Sequence, residues 1–280
     1  MHPYSGQTFA FATKHQKELL IKDTFLSKLN VEIMVADVDT DQLGTFSGEI
    51  ERTKSIFDTA VEKAKLALEF TGLDFGLASE GSISNDSAIP FLVSDLEIMV
   101  LVDQRNDLVI SESFRSFEII AATKEVHIGD ELNDFLIKAG FPNHKLIARV
   151  NSEGRVKAIK GIGDEKTLLD AIKTLASLNG NGLVTLEPDF RAHNCPSRQV
   201  NIKKVAEKLL DRLITLCPEC RTPGFGKIDF LRGLTCNFCG LFDESAIRQE
   251  LLTCVKCSFR KPGTLVNSEL DPARCQTCNP

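Results

Sequence analysis

The chain has 280 residues, 33 Lys/Arg against 39 Asp/Glu for a net charge of −6, 42% apolar residues and nine cysteines. The charge argues against a general nucleic-acid binder, which needs clustered cations to displace counterions, and no run reaches the roughly 18 apolar residues of a membrane span. The opening MHPYSGQTFAFATKHQ lacks the uninterrupted apolar stretch of a signal peptide, so with so many thiols a reducing cytoplasm is the expected setting and no membrane is expected as a partner.

Thr8 to Ala12 is short, apolar and β-prone, and the apolar residues after Lys17 fall at helical spacing up to Leu29, so strand, loop and helix are predicted. Val31 to Val38 reads as a second strand, followed by Asp39-Thr40-Asp41 and a loop through Gly44 to Glu49. Ser55 to Phe70 places Ile56, Ala60, Ala64 and Ala67 on one helical side, with Gly72 as the stop. Phe75 to Ser79 is predicted as a strand closed by a Glu80-Gly81-Ser82 turn. Glu97 to Val102, Leu108 to Ser113 and Phe114 to Ala122 are expected as three further strands.

Asp130 to Ala139 is predicted helical. Leu146 to Val150 should pair with Val156 to Lys160 across Ser152-Glu153-Gly154. Asp164 is the expected N-cap of a helix from Glu165 to Leu178. A strand at Val184 to Glu187, a polar loop from Pro188 to Ser197 and a helix from Gln199 to Leu213 complete the series. Helices alternating with strands and hairpins predict an α/β domain over 1–213 with a mixed sheet and flanking helices.

Four polar groups fall at predicted strand ends, where α/β sheets place ligands. Thr13, Lys14, His15 and Lys17 can hold phosphate or form a solvated first helical turn. Asp39, Thr40 and Asp41 with Glu49, Glu51 and Arg52 offer hard oxygens suited to Mg²⁺ or Mn²⁺, or an ordinary acidic loop. Glu80 stands beside Gly81 as a metal ligand or general base. The fourth group runs from Glu187 to Arg198, where Arg191, His193 and Arg198 suit phosphate recognition and Asp189 a metal or an orienting role. Glu97, inside an apolar strand, must be paired or bind metal if buried, and faces solvent if its strand is at an edge. Cys195 has no base assigned to it and reads as incidental.

The tail, 214–280, carries Cys217/Cys220, Cys236/Cys239, Cys254/Cys257 and Cys275/Cys278, four Cys-x-x-Cys knuckles. The first two are 15 residues apart and the last two 17, the spacing of tetrahedral four-cysteine zinc sites. Two structural Zn²⁺ ions in tandem ribbons are expected. Sequential pairing, first knuckle with second and third with fourth, is the simpler arrangement because each loop closes locally; the crossed arrangement, first with third and second with fourth, is the alternative. Eight Lys/Arg and seven Asp/Glu in 213–280 become about −3 once eight thiolates and two Zn²⁺ are counted, which disfavours nucleic acid as the partner. Lys256, Arg260 and Lys261 can form a local basic patch or, the favoured reading, neutralise nearby thiolates.

Two resemblances rest on these residues. Ala12-Thr13-Lys14-His15, Gly44-Thr45-Phe46-Ser47-Gly48-Glu49 with Arg52, Ala78-Ser79-Glu80-Gly81-Ser82, Asp189-Phe190-Arg191-Ala192-His193 with Pro196 and Arg198, and the final Cys275-Gln276-Thr277-Cys278-Asn279-Pro280 together resemble an uncharacterised bacterial domain family. That likeness implies architecture and no activity.

Over residues 8–100 the order of a strand leading to Thr13 and Lys17, the Gly44-Thr45-Phe46 loop with Glu49, the helix from Thr59 to Lys65 and the Glu80-Gly81 turn is similar to the inosine/xanthosine triphosphate pyrophosphatases. It implies that Thr13, Lys14 and Lys17 hold phosphates, that Glu49 and Glu80 serve metal or water, and that Lys63 reaches a phosphate. A single Glu80 stands where many of those enzymes carry paired aspartates, and their closing Ser-His-Arg has a rough counterpart in Arg191-Ala192-His193.

The expected function is metal-dependent hydrolysis of a nucleotide or other phosphate compound. Glu49, Glu80, Glu97, Asp189 and His193 are the catalytic candidates, and Thr13, Lys14, Lys17, Arg52, Lys63, Arg191 and Arg198 the phosphate ligands. The alternative is a ligand-sensing module for a small anionic molecule, whose ribbons contact protein, RNA or a second copy of the chain.

Overall fold

A computed structural model describes residues 2–44, 53–152 and 155–280. Glu49, Glu51 and Arg52, and the Glu153-Gly154 turn, lie outside the described residues. The chain divides into two compact units, one of Tyr4–Leu209 and one of Leu210–Pro280 with the described residues before Tyr4. The division falls inside a helix, four residues before the expected boundary at 213/214.

The α/β unit contains two sheets. The first has the order β2-β1-β3-β4-β5, built from β1 (Thr8–Ala12), β2 (Glu32–Ala36), β3 (Phe75–Asn85), β4 (Val93–Asp103) and β5 (Leu108–Ser116). β2, β1 and β3 run parallel, while β3, β4 and β5 are antiparallel, so the sheet is mixed as expected. Helix α1 (Glu18–Leu29) follows β1, and α2 (Ile56–Thr71) packs Ala60, Ala64 and Ala67 against Ile98, Val100 and Val102. Ser55 caps α2 by accepting a 3.0 Å bond from the Asp58 amide, and Gly72 closes it in the left-handed region.

The second sheet, β6-β9-β7-β8, is antiparallel throughout and consists of β6 (Lys124–Val126), β9 (Val184–Pro188), β7 (Leu146–Ser152) and β8 (Arg155–Ile162). Helices α3 (Asn133–Lys138) and α4 (Glu165–Ala176) supply Phe135, Leu168, Ile172 and Leu175 to its core. Asp164 caps α4 through the Thr167 amide at 2.8 Å, as its position predicted.

Two strand expectations are corrected. Glu80-Gly81 is not a turn, because β3 continues through it and pairs with β4 at each position from Phe75 to Asn85. Leu108 to Ala122 is not two strands, because β5 is a single strand ending at Ser116. Helix α5 (Pro196–Ile214) starts three residues earlier than predicted, which brings Arg198 into its first turn.

The second unit is one three-stranded antiparallel sheet, β10 (Gly226–Thr235), β11 (Phe242–Thr253) and β12 (Arg260–Leu265), with a cysteine knuckle before, between or after its strands. No helix among the described residues is long and apolar enough to cross a membrane.

Candidate anion cleft and cysteine centres

A cleft of about 140 Å³ opens where β1, β3 and β8 meet the start of α5. One ordered water needs only about 10–15 Å³ by the same measure, so a small polyatomic ligand has room. Six of its lining side chains are cationic (Lys14, Lys17, Lys63, Lys160, Arg191, Arg198) and two are carboxylates, Asp41 and Glu80. The sequence separates these cations by up to 184 residues, and the fold collects them on one wall-to-wall concavity.

Each described carboxylate of the site faces a cation. Lys63 donates to Glu80 Oε2 at 2.5 Å, and both are buried. Lys14 bonds Asp39, and also Asp41 at 3.0 Å, in a more exposed pairing that raises the lysine and lowers Asp39. Arg191 grips Asp189 through Nη2 at 2.5 Å and Nε at 2.9 Å, with Asn194 adding a 2.8 Å bond. Burial alone would push Asp189 up, but the Arg191 bonds and charge hold its carboxyl below the usual range. Arg198 donates from Nε to Glu97 Oε1 at 2.5 Å and from Nη1 to the Phe190 carbonyl at 2.6 Å, and both members of that ion pair are 0% exposed.

Gly81 explains how Glu97 and Arg198 fit. It lies opposite Glu97 in the β3/β4 register, and a Cβ there would sit 2.5 Å from Glu97 Oε1 and 2.6 Å from Arg198 Nη2. Gly81 therefore admits a buried ion pair, and Glu97 lies in a central strand rather than at an edge.

Lys17 is buried and donates to Ser79 Oγ at 3.0 Å and to the Ser79 carbonyl at 3.3 Å. Burial first, and then the Arg198 charge, bring its ammonium down to about 8. His15 is pushed to about 4 by burial and by the Lys17 charge, so it is neutral at physiological pH. Its ring lies 5.3 Å from that of His193, whose imidazole is also lowered, by burial and by Arg191. Thr13 Oγ1 is buried with no hydrogen-bond partner among the described residues.

Of the predicted site residues, Thr13, Lys14, Lys17, Lys63, Glu80, Arg191 and Arg198 line the cleft together. Glu97 and Asp189 lie behind it, each bonded to one of its arginines, and His193 is exposed beside His15. Glu49 and Arg52 lie outside the described residues. Sequence reasoning missed Lys160, which carries no local signal in its strand. It also missed Asp95, whose signal was available: like Glu97, it interrupts an apolar strand, two residues away on the same face. Cys195 is buried, and burial pushes its thiol up, which leaves it inert.

In the second unit the knuckles pair crosswise, correcting the sequential expectation. Cys217 and Cys220 join Cys254 and Cys257, while Cys236 and Cys239 join Cys275 and Cys278. The reason is β10: the 15 residues between the first two knuckles contain a single ten-residue strand, not a hairpin. At about 3.3 Å per residue that strand holds those knuckles roughly 30 Å apart. Antiparallel pairing of Gly226 with Thr253 then puts the first knuckle beside the third, and the Cys236–Leu270 bridge brings the fourth to the second.

Sulfur separations are 3.7 and 3.6 Å in one centre and 3.8 and 3.6 Å in the other. A tetrahedron with metal–sulfur bonds of about 2.3 Å has edges of about 3.8 Å, whereas a disulfide needs about 2.05 Å. Arg221, Gly240 and Ser258, each directly after a second cysteine, adopt positive φ. Arg221 and Gly240 close their knuckles by donating to the Cys217 and Cys236 carbonyls at 3.0 and 3.1 Å, and within the third knuckle the Lys256 amide donates to Cys254 Sγ at 3.3 Å. Both centres could hold a metal ion.

The molecule is thus an α/β protein with a cation-lined cleft, carrying an appended sheet with a four-cysteine metal-binding cluster toward either end. The chain belongs to the family described as a domain of unknown function (DUF6671), which matches residues 63–280. No curated protein matches the chain.

Proposed function

We propose that the α/β unit binds a small molecule through its phosphate groups, with Thr13, Lys14, Lys17, Lys63, Lys160, Arg191 and Arg198 as its ligands. The convergence of six cations and two carboxylates on one small cleft carries this reading. The buried Thr13 Oγ1, without a partner among the described residues, supports it as a further donor. The test is a thermal-shift screen of pyrophosphate and nucleoside triphosphates, with and without Mg²⁺. Phosphate compounds should raise the melting temperature, and uncharged nucleosides should not.

Hydrolysis of that ligand is the second reading, favoured by Glu80 in the lining and by the neutral imidazole of His15. It requires Mg²⁺ or Mn²⁺, for which Glu80 and, outside the described residues, Glu49 are the candidate ligands, with Glu97 and Asp189 acting from behind the cleft and His193 from beside His15. Mg²⁺-dependent release of pyrophosphate from nucleoside triphosphates tests it, and ligand bound without turnover removes it in favour of sensing. For the cysteine centres the tetrahedral sulfur spacing supports Zn²⁺ in a structural role, closed to catalysis. A reducing, cytoplasmic setting goes with eight thiols committed to metal. The exposed Phe238 and Phe242 support self-association or a protein partner for this unit.

A further inference from the structure

Beneath the cleft, β4 carries two acids that the anion reading does not use in the same way. Asp95 and Glu97 are two residues apart on one face of a central strand, and both are 0% exposed. Glu97 Oε1 accepts from Arg198, and Asp95 Oδ2 accepts from Asn201 Nδ2 at 2.8 Å. The other oxygen of each, Asp95 Oδ1 and Glu97 Oε2, is buried with no donor among the described residues. Two buried oxygens without donors, on carboxyls that leave the same face of one strand two residues apart, have one economical solution. A proton on one acid makes it the donor to the other and satisfies both.

We infer that Asp95 and Glu97 share a single proton, and that this pair couples anion binding in the cleft to proton uptake through Arg198. The coupling rests on the cleft being the anion site; the shared proton does not. The surroundings set its direction. β3 presents Ile83 and Gly81 opposite the two acids, and β5 presents Ser116 and Phe114. From α5 and the loop before it come Arg198, Asn201 and the buried Cys195 thiol, while Glu80, Lys17 and Lys63 stand on the cleft side of Arg198. Burial and the Glu97 charge push Asp95 up to about 7, against the lowering effect of Asn201 and Arg198. An anion beside Arg198 adds negative charge and so favours the protonated pair. By reciprocity the protonated pair favours the anion, and affinity falls as pH rises through about 7.

The test uses the full-length, metal-loaded protein and sulfate as the probe, because sulfate remains a dianion near neutrality and contributes no titration of its own. Calorimetric titration in two buffers of different ionisation enthalpy should show net proton uptake. Sulfate affinity should fall by up to about tenfold between about pH 6 and 8, the ratio that one unit of carboxyl displacement allows. Asp95→Asn keeps the shape and a donor toward Glu97, so it should abolish the uptake at about pH 6–7 and leave only the uptake and decline that accompany loss of the Lys17 proton near 8. Infrared spectra without ligand should show a protonated-carboxyl band that disappears as pH rises through about 7 and is missing in Asp95→Asn. Proton uptake unchanged in that variant, or no such band in the wild type, overturns the inference. Absence of sulfate binding overturns the anion reading and the coupling with it, while the infrared band still decides the shared proton.

Discussion

The α/β unit and the cysteine unit solve the same problem with different materials. The first buries Phe9, Phe25, Leu77, Leu101 and Ile110 around its mixed sheet, and Leu146, Ile162 and Leu186 in the second sheet. That apolar mass can bear the cost of buried charges such as Glu97, Arg198 and Asp189. The second unit has little of this. Its two clusters consist of Leu234, Leu270 and Phe225 with the buried cysteines themselves. The two cysteine clusters, each able to hold a metal ion, stand in for a larger apolar core there.

The largest effect expected from disturbing this division is in the tail. Chelation should unfold the second unit while Tyr4–Leu209 keeps its amide dispersion in nuclear magnetic resonance spectra, and Cys217→Ser should disorder the end of that unit that holds its centre and release one metal equivalent. Cys217→Ser combined with Cys254→Ser probes the pairing itself. Crosswise pairing leaves one metal equivalent by elemental analysis, and sequential pairing would leave none.

Next in size is the buried ion pair. Glu97→Ala strands the Arg198 guanidinium and should cost about 3–5 kcal/mol in chemical denaturation, with no loss of metal. Gly81→Ala drives a methyl group into the same pair and should cost about 1–3 kcal/mol. The smallest stability effect belongs to Lys14→Ala. Its partners are exposed, so the melting temperature should hardly move, yet phosphate affinity should weaken and lose part of its salt dependence.

What could be read from the sequence follows the same line. The cysteine spacing announced both centres, because a knuckle is a local structure. Their pairing was illegible because spacing does not reveal whether an intervening segment is a hairpin or one long strand, and β10 is the latter. Glu97 was legible as an acid in need of a partner, but Arg198 lies 101 residues away, and only the packing of α5 on β4 joins them. At Glu80-Gly81 the glycine signalled a turn. Pairing with β4 along the whole of β3 overrode it, and the glycine's real role was space for a neighbouring side chain. The cations of the cleft were mostly found by their place at strand ends, whereas Lys160 enters from a second sheet that periodicity could not position against the first.

Whether the cleft is built for phosphate is decided by calorimetric titration of pyrophosphate into the metal-loaded full chain. One site is expected, with affinity reduced by about tenfold or more in Lys17→Met, where a buried charged donor is lost and the side-chain volume kept. No binding, or equal binding by the wild type and Lys17→Met, would contradict a phosphate cleft.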